Sequence, residues 1–562
     1  MPLLPSRKNH PRAPRALLVA AGLCALLVLL PLGFTLYRAA TFGWANAMEL
    51  VFRPLVGELL INTLAITLSA TLASALIGTA AAWFVERTQL PAHRLWGGLC
   101  IAPLAMPAFI TSYAWVSLSL SLQDFAGALL VITTAYFPLV FLPVAAALRN
   151  MDPALEESAR ALGCSRGRVF LRVVLPQLRP ALLGGMLLVA LGVLSEFGAF
   201  TLLRFRTFTT QIYAEYRTSF DGGGASVLAC LLMLMCLLCL ALEMRVRGKA
   251  RYERLDRGAR RGVTRYPLGR WRWGVLAGFA ALSVTTLGVP LGMIGFWLTQ
   301  KGVAAATPAE VSPGLLLHST LASLGYGLAA AVVTTLLCAS LAFLLVRFPS
   351  RLATALERIV FVAQGLPSLI VALAIVSLAV HALRPLYQSA TLLVLTYAIL
   401  FMPLALVSVR AAFAQAQPRL EETARSLGLN WLQTARRVLL PMAGPGFGAA
   451  ATLVFISVAT ELNAMLLLSP IGTHSLATQV WSDTSTLAFA AAAPYAALLV
   501  CISLGASGLM FALLGKSAVL GGPVHAHHHE HGNGRRRGGR GRIARDAESG
   551  IPHRVKHGQY EA

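Results

Sequence analysis

Two glutamates, Glu196 and Glu461, each stand alone within a long apolar run. A carboxylate at membrane depth is costly unless it is paired or faces water, so each is a candidate for gating or passing a cation, or for tying helices together. Cys236 and Cys239 have the spacing of a redox pair, but they lie in an apolar stretch without basic neighbours, where cysteine acts as a small hydrophobe. Cys24, Cys100, Cys230, Cys338 and Cys501 read the same way. His527, His528 and His529, with His525 and His531 around them, could hold a metal through neutral imidazoles, although low complexity marks this tail as disordered. Gly515-Lys516-Ser517 imitates the end of a phosphate-binding loop. Met510 stands where such a loop requires glycine, so the chain is expected to hydrolyse no nucleotide and bind no cofactor of its own.

These residues are carried by a lipid-soluble framework. The 562 residues are 57% hydrophobic and only 12% charged, far below the roughly 25% charged residues of soluble domains. The net charge of +24 is concentrated in the first fifteen residues, in Arg245–Arg272 and after Lys516. Basic runs flanking apolar helices orient those helices and attract anionic lipid, which excludes nucleic acid as the expected partner. About twenty apolar residues cross a hydrocarbon core. Twelve runs qualify: 16–37, 60–85, 96–120, 125–148, 181–203 and 225–244, then 273–298, 315–346, 357–382, 388–410, 446–468 and 490–514. The first is read as a retained helix, because it has no clean small-residue cleavage site. The Lys/Arg bias places both termini and the loops holding Arg149–Arg179 and Arg410–Arg437 in the cytoplasm, with Arg204, Arg206 and Arg217 as the main exceptions.

The chain also repeats itself. Glu156-Glu157-Ser158-Ala159-Arg160-Ala161-Leu162-Gly163 returns as Glu421-Glu422-Thr423-Ala424-Arg425-Ser426-Leu427-Gly428. One offset, 421 − 156 = 265, also relates Pro176 to Pro441 and Glu196 to Glu461. The expected fold is therefore an all-α membrane protein of about twelve spans in two parallel six-helix repeats, with a pathway between the halves. The first half covers 1–244 with its loop at about 149–179. A basic linker follows at 245–272, then the second half at 273–514 with its loop at about 411–444, and a His/Arg/Gly-rich tail at 515–562. In each loop a proline opens a short helix, glutamates suit its first turns, and Gly163 or Gly428 ends it in a left-handed turn. A second basic helix then runs to Pro176 or Pro441. Such a hairpin at the membrane surface is a knob that can enter a groove on a soluble partner.

The repeated Glu-Glu-Ser/Thr-Ala-Arg-x-Leu-Gly with a downstream Leu-Pro resembles the EAA loop of binding-protein-dependent ABC importer permeases, apart from Ser158 and Thr423 in place of alanine. The resemblance implies that Glu156, Glu157, Ala159, Gly163, Glu421, Glu422, Ala424 and Gly428 dock two copies of a separate ABC ATPase, which hydrolyses the ATP. It further implies a periplasmic substrate-binding protein and a place in the bacterial inner membrane. Ser195-Glu196-Phe197-Gly198-Ala199, Thr210-Gln211-Ile212 and Glu461-Leu462-Asn463-Ala464 are similar to the fused two-domain permeases of the ferric-iron type, which implies ferric iron as cargo. Thiamine and 2-aminoethylphosphonate permeases share the architecture and remain open, and an ATPase-independent secondary transporter is the rival from another class.

Overall fold

A computed structural model describes residues 13–151, 153–219, 221–247, 265–300, 312–415 and 418–520. Among these residues the chain is helical, with one isolated bridge, Thr88 to Tyr266. The first half contains α1 (Arg15–Thr41), α2 (Pro54–Arg87), α3 (His93–Ala105), α4 (Ala108–Leu118), α5 (Phe125–Asn150), α6 (Pro153–Ala161), α7 (Gly167–Ser195), α8 (Gly198–Leu202), α9 (Phe208–Arg217) and α10 (Gly222–Arg247). The second contains α11 (Gly269–Thr299), α12 (Pro313–Arg347), α13 (Arg351–Gly365), α14 (Ser368–Ala382), α15 (Ala390–Gln415), α16 (Pro418–Ser426), α17 (Arg436–Ala459), α18 (Asn463–Leu468), α19 (Leu476–Ser485) and α20 (Phe489–Leu520).

The third span of each half is not the straight helix expected from 96–120 and 357–382. α3 and α4 meet at 93°, and α13 and α14 at 104°. The cause is local: proline pushes the preceding residue out of helical conformation and cannot donate a backbone hydrogen bond. Met106 before Pro107, and Leu366 before Pro367, are accordingly extended (φ −114°, ψ 113° and φ −93°, ψ 126°). The fifth spans also begin earlier than 181 and 446. The second arm of each loop runs through a π-turn, Phe170–Val174 or Ala435–Leu439, straight into the membrane helix. Pro176 and Pro441 sit in the first turn after it, where a missing N–H is tolerated.

Contacts fix the number of crossings. Arg87 at the end of α2 meets Glu156 of α6, and Arg149 at the end of α5 meets Glu86 of α2, so α2 and α5 end on one face. Because α5 crosses once, the bent pair α3–α4 must cross as well. Arg347 with Glu421 and Arg410 with Glu357 make the same case for α13–α14. Among the described residues this makes twelve candidate spans, six of them between α6 and α16. Both short helices therefore lie on one face, as a parallel repeat requires.

In each half, spans two, four and five pack on one another, α2 with α5 and α7, and α12 with α15 and α17. Small residues allow the approach: a Cβ at Gly185 would lie 2.8 Å from the Val140 Cα. The opposite side of α2 exposes Leu64, Leu68, Leu72 and Leu76, a leucine stripe suited to lipid. The first helices are exchanged. α1 packs on α12, α13 and α14 of the second half as well as on α10, and α11 packs on α3 and α4 of the first half. One buried cluster accordingly runs from Ala21, Cys24 and Val28 into Leu341, Leu369 and Met402.

Candidate functional site

The two repeated hairpins share a construction. Gly163 and Gly428 adopt φ of +80° and +84°, the left-handed region that side chains avoid. Cys164 N–H donates to the Ala159 carbonyl at 3.1 Å, and Leu429 N–H to the Ala424 carbonyl at 3.1 Å, the hydrogen bonds that close a helix on glycine. No atom lies within 4 Å of a Cβ built at either glycine, so both apices face open space.

Adjacent glutamates on these helices take opposite roles. Glu156 and Glu421 are buried, while Glu157 and Glu422 are exposed. Glu156 Oε1 lies 3.0 Å from Arg87 Nη2, both side chains being almost fully enclosed. Arg347 Nε donates to Glu421 Oε1 at 2.8 Å. Glu156 and Glu421 thus face their own membrane helices. Ala424 is likewise buried and Ala159 half-buried. Among the groups the hairpins present outward are Glu157, Glu422, Gly163, Gly428 and two residues outside the expected set, Leu162 (84% exposed) and Leu427 (78%). Sequence reasoning also passed over Arg87 and Arg347. Their signal was available: each is the last residue of the second span of its half.

Tyr266, from the segment joining the halves, completes the first hairpin. Its hydroxyl donates to Glu156 Oε2 at 2.9 Å. Arg160 lies over its ring at 4.3 Å.

Glu196 and Glu461 meet at a second location. Both lie just past the end of a fifth span rather than within it, in the short breaks before α8 and α18. Each carboxylate accepts from the backbone of the helix that follows: Ala199 N–H donates to Glu196 Oε1 at 2.9 Å, and Ala464 N–H to Glu461 Oε2 at 2.9 Å. The Tyr136 hydroxyl donates to Glu196 Oε2 at 2.6 Å. Both glutamates line one cavity of about 450 Å³ between the halves, with Tyr136, Ser195, Ser368, Ser457, Thr460 and Asn463. No lysine, arginine or histidine is among the residues that line it.

Three buried apolar side chains line part of the cavity. Phe109, Phe197 and Leu462 are buried there, and a Cβ at Gly198 would lie 2.8 Å from Leu462 Cδ2, so the halves touch. Beyond them Phe197 packs on Tyr213 at 4.7 Å, and Tyr213 on Trp481 at 6.1 Å, joining α9 to α19. Gln211 pairs with Glu215 (3.1 Å) and Gln479 with Asp483 (3.0 Å), one pair on each of these helices. Burial raises the Asp483 carboxyl above its ordinary range, opposed by the Gln479 amide and by His474. Leu104 of the bent third span also lines the cavity and is exposed.

Among the described residues no group of three or more metal-ligating side chains occurs. His527, His528 and His529 lie outside the described residues.

The sequence profile of the family described as "Binding-protein-dependent transport system inner membrane component" matches residues 78–247 and 331–514, one segment in each half. The chain is 33% identical over 496 residues to the Fe(3+)-transport system permease protein FbpB 2 of Haemophilus influenzae, covering 88% of this chain and 97% of that protein. It is 23% identical over 468 residues to the putative ferric transport system permease protein FbpB 1 of the same species, covering 77% and 73%. It is 30% identical over 236 residues to the sulfate transport system permease protein CysT of Escherichia coli, covering 38% of this chain and 85% of that protein.

Proposed function

Since the chain belongs to the family of binding-protein-dependent transport system inner membrane components, we propose that it imports ferric iron, received from a periplasmic binding protein and driven by two copies of a separate ATPase. The observation that carries the cargo class is the cavity between the halves. Two carboxylates from equivalent positions line it together with hydroxyl and amide oxygens, and no cationic side chain does. Oxygen donors of this kind suit a hard cation and repel an anion such as sulfate.

The same geometry supports a route for the drive. An ATPase on Glu157, Leu162, Gly163 and their counterparts pushes or pulls a hairpin anchored to a membrane helix. The Glu156–Arg87 pair passes that displacement to α2, and α2 packs on α5 and α7. Tyr136 on α5 and Glu196 at the end of α7 are hydrogen-bonded partners at the cavity wall, so motion of the hairpin reaches the pathway through rigid helices. Arg347 and α12 offer the second half the same route. On this reading the hairpin face and both ends of the chain are cytoplasmic, the Tyr213–Trp481 face is periplasmic, and the membrane is the bacterial inner membrane.

The test is uptake of radiolabelled ferric iron in cells lacking this gene and any other ferric importer. Wild type should restore uptake. A Glu196→Gln, Glu461→Gln variant present at normal level should lower it at least about tenfold. Undiminished ferric uptake in the deletion strain would remove iron, and loss of sulfate or thiamine uptake in the same cells would name the cargo instead.

A further inference from the structure

The segment between the halves does more than connect them. Residues 265–268 precede α11, and Tyr266 is tied into the first half at several points. Its N–H donates to the Arg87 carbonyl at 2.8 Å, and its carbonyl accepts from Gln89 N–H at 2.9 Å. Its hydroxyl reaches the buried Glu156 carboxylate, and Arg160 of the same short helix covers its ring. The other face of the ring system continues inward: Tyr266 stacks on Trp83 of α2 (6.1 Å, 20°), and Trp83 meets Phe170 in the π-turn of the second arm edge-on at 5.0 Å. One side chain therefore touches α6 twice, bridges to the other arm through Trp83, and is fixed to the end of α2 by two backbone hydrogen bonds. In the second half the described contact at the same place is the ion pair of Arg347 with Glu421.

We propose that Tyr266 is a positioning residue that latches the first hairpin to α2, so that the linker sets how stiffly this hairpin transmits ATPase motion. The stiffness follows from chemistry. A phenol bonded to a carboxylate that already holds a buried arginine leaves the glutamate no exposed lone pair to trade with water. The cation–π contact and the stacked rings resist rotation of α6 about its axis. The functional part of this inference rests on the docking role proposed above, whereas the latch itself does not.

Hydrogen exchange of the full chain in lipid nanodiscs tests the latch without any cargo or ATPase. Tyr266→Phe keeps the ring contacts and removes only the hydroxyl. It should speed amide exchange across 153–163 about tenfold, and Tyr266→Ala should speed it further. Exchange across 418–428 in the second hairpin serves as the internal control and should not change. Unaltered exchange in the first hairpin, or equal acceleration in both, overturns the latch. The coupling role is read in proteoliposomes with the cognate ATPase, as cargo moved per ATP hydrolysed. Tyr266→Ala should lower this ratio several-fold and Tyr266→Phe should fall between, whereas a parallel loss of transport and hydrolysis would mark a merely structural residue. If the wild-type assembly hydrolyses ATP and moves no cargo, the importer reading fails while the exchange result still judges the latch.

Discussion

The buried ion pairs that hold the hairpins are the most sensitive individual groups. Arg87 and Glu156 are both almost fully enclosed, so removing one strands the other charge out of water. Arg87→Ala should cost about 3–5 kcal/mol in denaturant unfolding of the detergent-solubilised protein. Arg149→Ala breaks a pair of similar length whose arginine is 58% exposed, and should cost less than about 1 kcal/mol. Equal costs would show that burial does not govern these pairs. The tips behave in the opposite way. Leu162→Glu with Leu427→Glu should leave unfolding unchanged, because both side chains lie in open solvent, yet weaken ATPase association at least about tenfold in a pull-down titration. Sequence alone could not separate Glu156 from Glu157. Helical geometry sets neighbours roughly 100° apart, so one must turn inward. Which one does is decided by Arg87, far away in the chain.

Turns and breaks determine how far each helix reaches. Gly163→Ala or Gly428→Ala forces a side chain into positive φ where no neighbouring atom obstructs it. Each should therefore cost only the backbone term, about 1–2 kcal/mol, seen as faster exchange of that hairpin alone. A larger, global loss would point to hidden packing at the apex. These glycines were readable because a helix end has a compact local signature. The bends at Pro107 and Pro367 were less so, since both prolines lie inside runs whose summed hydropathy is that of a straight span. The early start of α7 and α17 was missed because a π-turn admits Pro176 and Pro441 into continuous helices. The basic residues before them read as a separate helix at the membrane surface.

The repeat at an offset of 265 residues conveyed two parallel halves and their shared face. It said nothing of which helix lies beside which. Hydropathy reports that α1 crosses the bilayer, but its neighbours are chosen by shape, and it lies on α12, α13 and α14. The same is true of Glu196 and Glu461. Their equivalence was legible, while their meeting in one cavity depends on packing between halves. Because the first helices are exchanged, a chain cut within 248–264 should yield two pieces that copurify when made together. Either piece made alone should be degraded or aggregate. A first half that is stable on its own would contradict the exchanged packing.

The exchange of first helices also sets a timetable for synthesis. α1 ends at Thr41 and its partner α12 begins at Pro313, so 313 − 41 − 1 = 271 residues separate them. At about 5–20 residues per second, α1 must wait roughly 15–55 s in the bilayer before that surface exists. Its body from Ala16 to Tyr37 carries no charge, so lipid can hold it through that interval. The face of α3 and α4 that α11 covers stays open over the same stretch of synthesis, until α11 is made.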